Sequence, residues 1–166
     1  MTVSIRRATR DDVDWLVELL GGDDTEPYLR PITPDEVRND VDRSQREPER
    51  VGRFIVEVDG ARAGAMGFEE RSDRHRIAGL GGLAVHPDFR GRRVADEGAR
   101  QLQRYLLVDL GYHRLELACY GFNDRAIKHA ERVGFVREGV KRRAYLRHGE
   151  WQDAVLFGLL QEDLDS

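Results

Sequence analysis

One segment of the sequence joins a strand pattern to a helix pattern through a loop rich in arginine and glycine. It reads Leu-Ala-Val-His-Pro-Asp-Phe-Arg-Gly-Arg-Arg-Val-Ala over residues 83–95. The first turn of a helix leaves backbone N–H groups unpaired, and the helix dipole adds partial positive charge there, so such a junction can bind an anion. Gly91 would let the anion approach the backbone, and Arg90, Arg92 and Arg93 supply forked donors that match a pyrophosphate. An ordinary strand-to-helix turn with solvated arginines fits the same residues, and the loop alone does not decide between the two.

Two stretches resemble the motifs of the GNAT superfamily of N-acetyltransferases. The segment 83–95 resembles that family's acetyl-CoA-binding motif, in which a strand ending in Val-x-Pro is followed by Arg/Gln-x-x-Gly-x-Gly/Ala. Farther along, Asn-Asp-Arg-Ala at 123–126 and a helix ending in Gly-Phe at 134–135 resemble the second motif. The hairpin at 143–153 resembles the corresponding segment in the branch of the family that modifies ribosomal-protein N-termini and polyamines. The resemblance therefore implies an N-acetyltransferase that uses acetyl-CoA as co-substrate.

The resemblance also implies a role for each matched position. The strand before the loop would offer backbone groups to the amides of the pantetheine arm, and the loop would wrap the pyrophosphate with main-chain N–H groups. Asn123 would hydrogen-bond the pantetheine or its water, and Ala126 would leave room for it. In such proteins this strand and the one at Leu115 splay apart to admit the thioester. The residues expected to bind the cofactor are Leu83, Ala84, Val85, Arg90, Gly91, Arg92, Arg93, Val94, Ala95, Asp96, Asn123 and Ala126.

Four positions depart from the family pattern. Arg93 replaces the second glycine of the motif. An arginine is strained there if the position needs a positive φ, whereas the replacement is harmless if the position is helical. Asp96 and Glu97 stand where small residues are usual; they either complement the helix dipole or weaken CoA binding electrostatically. Many members place a tyrosine seven residues after the asparagine, as general acid for the thiolate, and Ala130 occupies that position. Either another group does this work or none is needed, since a thiol of pKa about 8.5 is a tolerable leaving group.

The attacking amine must lose a proton, so the chain should carry a general base near the gap between the strands. Glu116 is the first candidate, because it shares strand parity with Ala118 and so points to the same face near the gap. Glu69 and Asp153 are further candidates. Each of these carboxylates can also be interpreted as an ordinary surface group.

Tyrosines are the candidates for protonating the sulfur. Tyr145 is the first of them and Tyr120 the second, although Tyr145 also fits a cross-strand packing position. Cys119 follows Glu116 by three residues, so strand alternation directs it to the opposite face and into the core. We therefore do not expect an acyl-cysteine.

The elements that must position these residues alternate between strand and helix patterns in the order β-α-α-β-β-β-α-β-α-β-β. The predicted elements are a strand at 3–7, a helix that follows Thr9 and ends at Gly21-Gly22, a second helix from Thr33-Pro34, a hairpin of 54–58 and 61–68, a strand at 77–85, a long helix through Leu110, a strand at 115–119, a short helix from Asn123, and a hairpin of 143–147 and 150–160. Glycines at 79, 81 and 82 are unusual inside a strand and suggest a bulge or a close approach. We expect one α/β domain over 1–166, with about four helices and a mixed, mostly antiparallel sheet. Its parallel pair, on either side of the long helix, should be splayed.

Composition narrows the possible functions. The chain has 166 residues, 40% of them hydrophobic, which is enough for the core of one domain. The 27 basic and 31 acidic residues give a net charge of −4, which argues against a nucleic-acid binder that uses the arginine clusters. The single Cys119 excludes a disulfide framework, and the five histidines show no metal-ligand spacing. No apolar run is long enough to cross a membrane. We expect a cytoplasmic protein with no metal, nucleic acid or membrane partner.

The expected partner is an amine acceptor, either a small molecule or a protein. The acidic loop at 23–28 would lie over the acceptor side in the family's layout, where it either attracts a cationic amine or is simply solvated. The family also allows a homodimer through a sheet edge or the C-terminal hairpin. A non-catalytic acyl-CoA-binding or regulatory module on the same fold is the alternative function, which Ala130 and Arg93 keep open.

Overall fold

The computed structural model describes residues 1–22 and 32–165, and within them seven strands form a mixed sheet. The strands are β1 (Val3–Arg7), β2 (Val51–Val58), β3 (Ala61–Ser72), β4 (Ile77–Val85), β5 (Arg114–Tyr120), β6 (Val136–Arg147) and β7 (Glu150–Leu160). Their spatial order is β1-β2-β3-β4-β5-β7-β6, and neighbours are antiparallel except β4 and β5, which are parallel. The predicted mixed, mostly antiparallel sheet with a parallel pair is confirmed. The acidic loop at 23–28 lies outside the described residues.

Four α-helices occur in the described part of the chain: α1 (Val13–Leu20), α2 (Pro34–Arg46), α3 (Val94–Arg104) and α4 (Asp124–Arg132). The helix predicted from Thr33-Pro34 is present, and Thr33 caps it, since its Oγ1 accepts a hydrogen bond from the Glu36 amide at 3.1 Å. A π-helical turn, Tyr105–Asp109, continues α3 toward the predicted end of the long helix. None of the described helices is long and apolar enough to cross a membrane.

The C-terminal hairpin is longer than the sequence pattern predicts, since β6 begins at Val136 and not at Arg143. β6 is an edge strand with mostly exposed residues, so it lacks the alternation of apolar and polar residues that marks a half-buried strand. Its register with β7 shifts between Lys141 and Tyr145, and Arg143 takes a φ of 48°. The predicted start of this hairpin is therefore wrong, because pairing with β7 defines the strand and the local pattern does not.

The sheet has a hydrophobic core on each face. On one face, buried side chains of α3 such as Leu102 pack with residues of the sheet and of α4. On the other, Leu16 of α1 and Val41 of α2 are fully buried against Ile55 of β2. We refer to these as the α3 face and the α2 face. Each face can therefore present a different binding surface around the same strands.

A bulge interrupts β4 at its glycines. Ala84 pairs with Ala65 of β3 and Gly81 pairs with Gly67, so two residues of β4 lie opposite one of β3. Gly82 takes a φ of +64°, which an L side chain rarely adopts. As a result Leu80 and Leu83, three residues apart, both pack on the α3 face. A bulge of this kind bends the strand that carries it.

The bend separates β4 from its parallel neighbour. β4 and β5 pair only from Ile77 with Arg114 to Gly79 with Glu116, and beyond that point the two strands diverge. The predicted splay of the parallel pair is confirmed. On the side toward β5, main-chain groups of β4 after Gly79 have no strand partner in the described structure, so they are available to a ligand.

Substitution at the two bulge glycines tests whether the positive φ is required. A Cβ on Gly82 would lie 2.5 Å from Arg53 Nη1, whereas a Cβ on Gly81 would have no atom within 4 Å. Gly82→Ala should therefore lower the free energy of unfolding by about 1–2 kcal/mol, the cost of a left-handed alanine, when measured by urea denaturation. Gly81→Ala is the matched control and should change it by less than about 0.5 kcal/mol. Equal losses in the two variants would show that the bulge does not depend on Gly82.

Candidate active site

The divergence of β4 and β5 opens a cleft of about 300 Å³ on the α3 face. Leu83 of β4 and Leu117 of β5 form its walls, and Leu102 of α3 also lines it. Small side chains of α4, Ala126 and Ala130, line the same space. The cleft is mostly apolar and bounded by free strand edges, so its shape suits a slender, flexible arm that carries its own amide groups.

The loop after β4 ends in an open helix N-terminus. Gly91 and Arg93 have φ values of +78° and +59°, and α3 begins at the next residue. The Glu97 amide makes the first helical hydrogen bond, to Arg93 O at 3.1 Å. The amides of residues 94–96 therefore precede the first bond of the helix and can bind an anion. Arg90 Nε donates to Val85 O at 3.1 Å and so holds the loop against the end of β4.

The backbone of Arg93 adopts the positive φ at which an arginine is strained, the first of the two possibilities given above for this position. Its φ of 59° and ψ of 25° are left-handed, where glycine is favoured. Its neighbour Arg92 has no positive φ and places its guanidinium 5.8 Å from the ring centre of Phe89. The two arginines therefore carry the same charge on the loop before α3, but only Arg93 has a left-handed backbone.

Asn123 begins α4 at the cleft. Its side-chain oxygen accepts a hydrogen bond from the Ala126 amide at 3.2 Å, which caps the helix. The oxygen is used in this way, so the two amide hydrogens on Nδ2 remain as the donors that a ligand in the cleft would meet. The structure thus brings Asn123 and Ala126 to the cleft wall, as the resemblance implies.

Asp96 lies at the start of α3, but its carboxylate points inward. The side chain is 2% exposed, and its oxygens bind Arg132 Nε at 2.6 Å and His129 Nδ1 at 2.8 Å. The hydrogen bond from Arg132 is the main reason why the pKa of Asp96 falls to about 2, against the opposing effect of burial. The Asp96 side chain therefore joins α3 to α4, and only its backbone amide is available to an anion.

His129 is a cleft residue that the sequence analysis did not identify. It lies beside Ala126 and Ala130 on α4, and burial is the main cause that lowers the pKa of its imidazole. Since Asp96 is ionised, His129 Nδ1 donates the proton to it. A histidine six residues after the motif's asparagine gives no local signal, because its partner Asp96 lies 33 positions earlier in the chain.

The tyrosines predicted to donate a proton lie together. Tyr120 and Tyr145 both line the cleft, and their rings meet edge-on with centres 5.8 Å apart. Ala130 is 1% exposed in the cleft wall, where the family's tyrosine would stand. Cys119 is buried, as predicted, and burial raises the pKa of its thiol to about 11. Its thiol is therefore a poor nucleophile near neutral pH.

Glu116 lies on the other side of the strand from the cleft. It lines a neighbouring groove together with Tyr145 and Gly79, and Arg114 Nε donates to its carboxylate at 2.9 Å. Arg114 also binds Glu138 of β6. The structure thus brings Glu116 close to one tyrosine candidate, but places it in an ion-pair network that strand parity does not reveal.

The other two candidate bases lie apart from one another. Glu69 of β3 is exposed and pairs in register with Gly79. Asp153 accepts a hydrogen bond from the Arg143 amide at 2.9 Å and so supports the irregular part of the hairpin. Across residues 1–22 and 32–165, no three metal-ligating side chains come close enough to hold an ion.

The mixed sheet with its splayed parallel pair is similar in fold to solved acetyltransferases. The model of the acetyltransferase (GNAT) domain family matches residues 2–136, and the chain belongs to this family. The resemblance stated from the two motifs is confirmed.

Several known proteins are similar to this chain. The uncharacterized N-acetyltransferase YokL, derived from the SPbeta prophage of Bacillus subtilis strain 168, is 32% identical over 116 residues, which are 68% of this chain and 64% of that protein. The spermidine N-acetyltransferase of Vibrio cholerae, solved with CoA and spermine, has a TM-score of 0.87 at 22% identity and covers 99% of this chain and 98% of its own. A ribosomal L7/L12 alpha-N-protein acetyltransferase solved with coenzyme A has a TM-score of 0.83 at 18% identity, with 96% and 94% covered. The matches cover 64% and 58% of the length of the first curated relatives, less than two thirds of each.

Exchange of Arg93 for glycine tests the strain at the loop. The free energy of unfolding of Arg93→Gly should exceed that of Arg92→Gly by about 1–2 kcal/mol, because only the first exchange removes a left-handed L residue. Both variants lose one positive charge from the same loop, so urea denaturation of the pair isolates the backbone effect. Equal stabilities would contradict strain at Arg93.

The ion pair of Asp96 should make stability depend on pH. A carboxylate whose pKa falls from 3.8 to about 2 on folding contributes about 2 kcal/mol at pH 7, and this contribution is lost as the pH falls through the folded pKa. Asp96→Asn should therefore lower the free energy of unfolding by about 2 kcal/mol at pH 7, and the difference from the wild type should fall to about half near pH 3. Glu97→Gln removes an exposed charge from the same turn and serves as control. A deficit in Asp96→Asn that stays constant down to pH 3 would refute this linkage.

Proposed function

We propose that the chain is an acetyl-CoA-dependent N-acetyltransferase that transfers the acetyl group to a primary amine by direct attack in a ternary complex. The observation that carries the proposal is the cleft between β4 and β5, because β4 leads from the cleft directly into the open N-terminus of α3. Membership of the GNAT family supports the same conclusion. A non-catalytic acyl-CoA-binding module remains the alternative that the experiment below distinguishes.

Coenzyme A fits the residues at the cleft. Its diphosphate would bind the amides of residues 94–96, with the charge of Arg92 and Arg93 beside it. Its pantetheine amides would pair with the free edge of β4 over residues 83–85, in the place that β5 leaves. Asn123 Nδ2 would donate to the same arm, and Ala126 leaves the space for it. When bound, acetyl-CoA supplies the activated acyl group.

Side chains of the cleft and of the neighbouring groove handle the protons. Attack requires the neutral amine, and Glu116 is the proposed group that takes the proton from it, directly or through water. Main-chain N–H groups of β4 near Val85 polarise the thioester carbonyl. Tyr145 donates its phenolic proton to the sulfur as the C–S bond breaks and the N–C bond forms, and it recovers a proton from solvent. Placing the two reactants side by side supplies much of the remaining rate enhancement.

The acceptor is a primary amine of a small molecule or a protein, and the relatives include spermidine N-acetyltransferases. We propose a cytoplasmic enzyme that works without a nucleic-acid or membrane partner. A homodimer through the C-terminal hairpin is supported by large exposed hydrophobic residues on β6 and β7, which lie at an edge of the sheet. These residues are Val136, Val140, Tyr145, Leu146 and Trp151.

Release of free thiol from acetyl-CoA in the presence of a panel of amines tests the activity, with the products weighed by mass spectrometry. Glu116→Gln and Tyr145→Phe should each lower kcat by about 10²-fold or more. The dissociation constant of CoA should change less than about threefold, because Glu116 lies outside the cleft and Tyr145→Phe removes only a hydroxyl group.

Two neighbouring residues provide the controls. Glu138→Gln also removes a carboxylate from Arg114, and Tyr120→Phe also removes a phenol from the edge-on pair, so both should retain most of the rate. Tight CoA binding with no turnover of any amine would support the non-catalytic module and reject the enzyme.

A further inference from the structure

The α2 face carries a groove whose floor is the glycine-rich part of β4. The groove has a volume of about 200 Å³ and runs between α2 and the ends of β2, β3 and β4. Leu80, Gly81 and Gly82 line both this groove and the cleft on the α3 face. The groove and the cleft therefore adjoin at the bulge of β4, so a molecule in the groove lies next to the cleft there. We call it the arginine groove, after Arg43, Arg53 and Arg71, which line it.

Arg53 is the central cation of the arginine groove. Its side chain is 13% exposed, and its Nη2 lies 3.3 Å from Asp40. Its Nη1 is fully buried and has no hydrogen-bond partner in the described structure. A buried guanidinium with an unused donor is costly unless a ligand completes it. The same Nη1 lies against the backbone of Gly82, at the point where groove and cleft meet.

Arg71 provides a second guanidinium over the same strand. It lies against Gly79 so closely that a Cβ there would be 2.3 Å from its Nε. No ion pair or hydrogen bond of its side chain occurs among the described residues, and the residue is exposed. Gly79 and Gly82 lack side chains, so β4 leaves room for Arg71 at one position and for Arg53 at the other. The space between them is lined by backbone and positive charge.

The charges of the arginine groove suit a substrate with an anionic end. Asp40 is already paired with Arg53, and Arg43 is paired with Glu47 outside the groove. Glu69 is the lining carboxylate without an ion pair in the described structure, and it lies beside Gly79. A polyamine would bring two or more positive charges to a site with one such carboxylate and two incompletely paired guanidiniums. A zwitterion would place an ammonium near Glu69 and a carboxylate at the arginines.

Resting on the proposed N-acetyltransferase activity, we propose that the acceptor is an amino acid or a similar molecule that bears both a primary amine and a carboxylate. The guanidiniums of Arg53 and Arg71, which both line the groove, bind the carboxylate, and the amine is thereby directed toward the thioester where groove and cleft adjoin. Arginine is suited to this role because its planar fork matches a carboxylate in geometry and charge.

A panel of acceptors that differ only in the far end group tests this assignment. For each chain length from two to six carbons, thiol release is measured with the ω-amino acid, the alkylamine and the diamine, whose end groups are negative, neutral and positive. Glycine and other α-amino acids extend the panel. At the best chain length, kcat/KM for the amino acid should exceed that for the diamine by at least about tenfold, which corresponds to about 1.4 kcal/mol.

Two arginine variants locate the preference in the groove. Arg71→Gln and Arg53→Gln should each reduce kcat/KM for the amino acid by about tenfold and leave that for the alkylamine within about twofold. Arg71 is exposed, so its variant keeps the test valid even where Arg53→Gln fails to fold. Arg74→Gln removes the same charge from the exposed turn between β3 and β4, outside the groove, and should change neither value.

The outcomes separate this inference from the proposed function. Turnover with a preference for diamines, or equal losses for amino acid and alkylamine in Arg71→Gln, would overturn the carboxylate assignment and leave the acetyltransferase intact. Absence of thiol release with every acceptor would overturn both. Amino-acid preference that disappears in Arg71→Gln but persists in Arg74→Gln would support the assignment.

Discussion

The early end of pairing between β4 and β5 is the constraint on which the whole site depends. Two parallel strands that separate after Gly79 and Glu116 leave backbone donors and acceptors without their usual partners. Such groups need water or a ligand to satisfy them. A ligand arm that carries amides can take the place of the missing strand, in the same way that a peptide adds to a sheet edge. The backbone alone therefore favours a ligand with amide groups along a narrow arm, whatever the side chains are.

The charges near the start of α3 favour an anion at the end of such a ligand. An aspartate in the first turn of α3 would oppose a diphosphate if it faced the loop. The Asp96 carboxylate instead turns inward, where Arg132 and His129 neutralise it. The loop therefore keeps the positive field of Arg92, Arg93 and the helix dipole. The same ion pair joins α4 to α3, so the electrostatics of the proposed diphosphate site and the packing of α4 at the cleft depend on one buried group.

The sequence predicted features that arise from local chemistry. Periodicity identified the helices, and the glycines at 79, 81 and 82 indicated a bulge that the structure places at Gly82. The motif at 83–95 indicated a loop that leads into a helix start, which the structure shows at Val94. Features that depend on distant pairing were not predictable: the start of β6 depends on β7, and the inward turn of Asp96 depends on Arg132. Strand parity did not show that Glu116 lies on the side of β5 away from the cleft, and only the folded chain shows that Arg114 holds its carboxylate.

The two faces of the sheet recognise their ligands by different means, and this explains why family membership specifies one substrate better than the other. On the α3 face the recognising groups are main-chain amides, a strand edge and small side chains, which many sequences can supply on the same backbone. On the α2 face they are the side chains of Arg53, Arg71 and Glu69, held over a strand whose glycines admit them. A solved relative at 22% identity shares the backbone but gives no information about those side chains. The identity of the acceptor must therefore be inferred from the charges of this groove, where two guanidiniums retain unused donors beside the bulge.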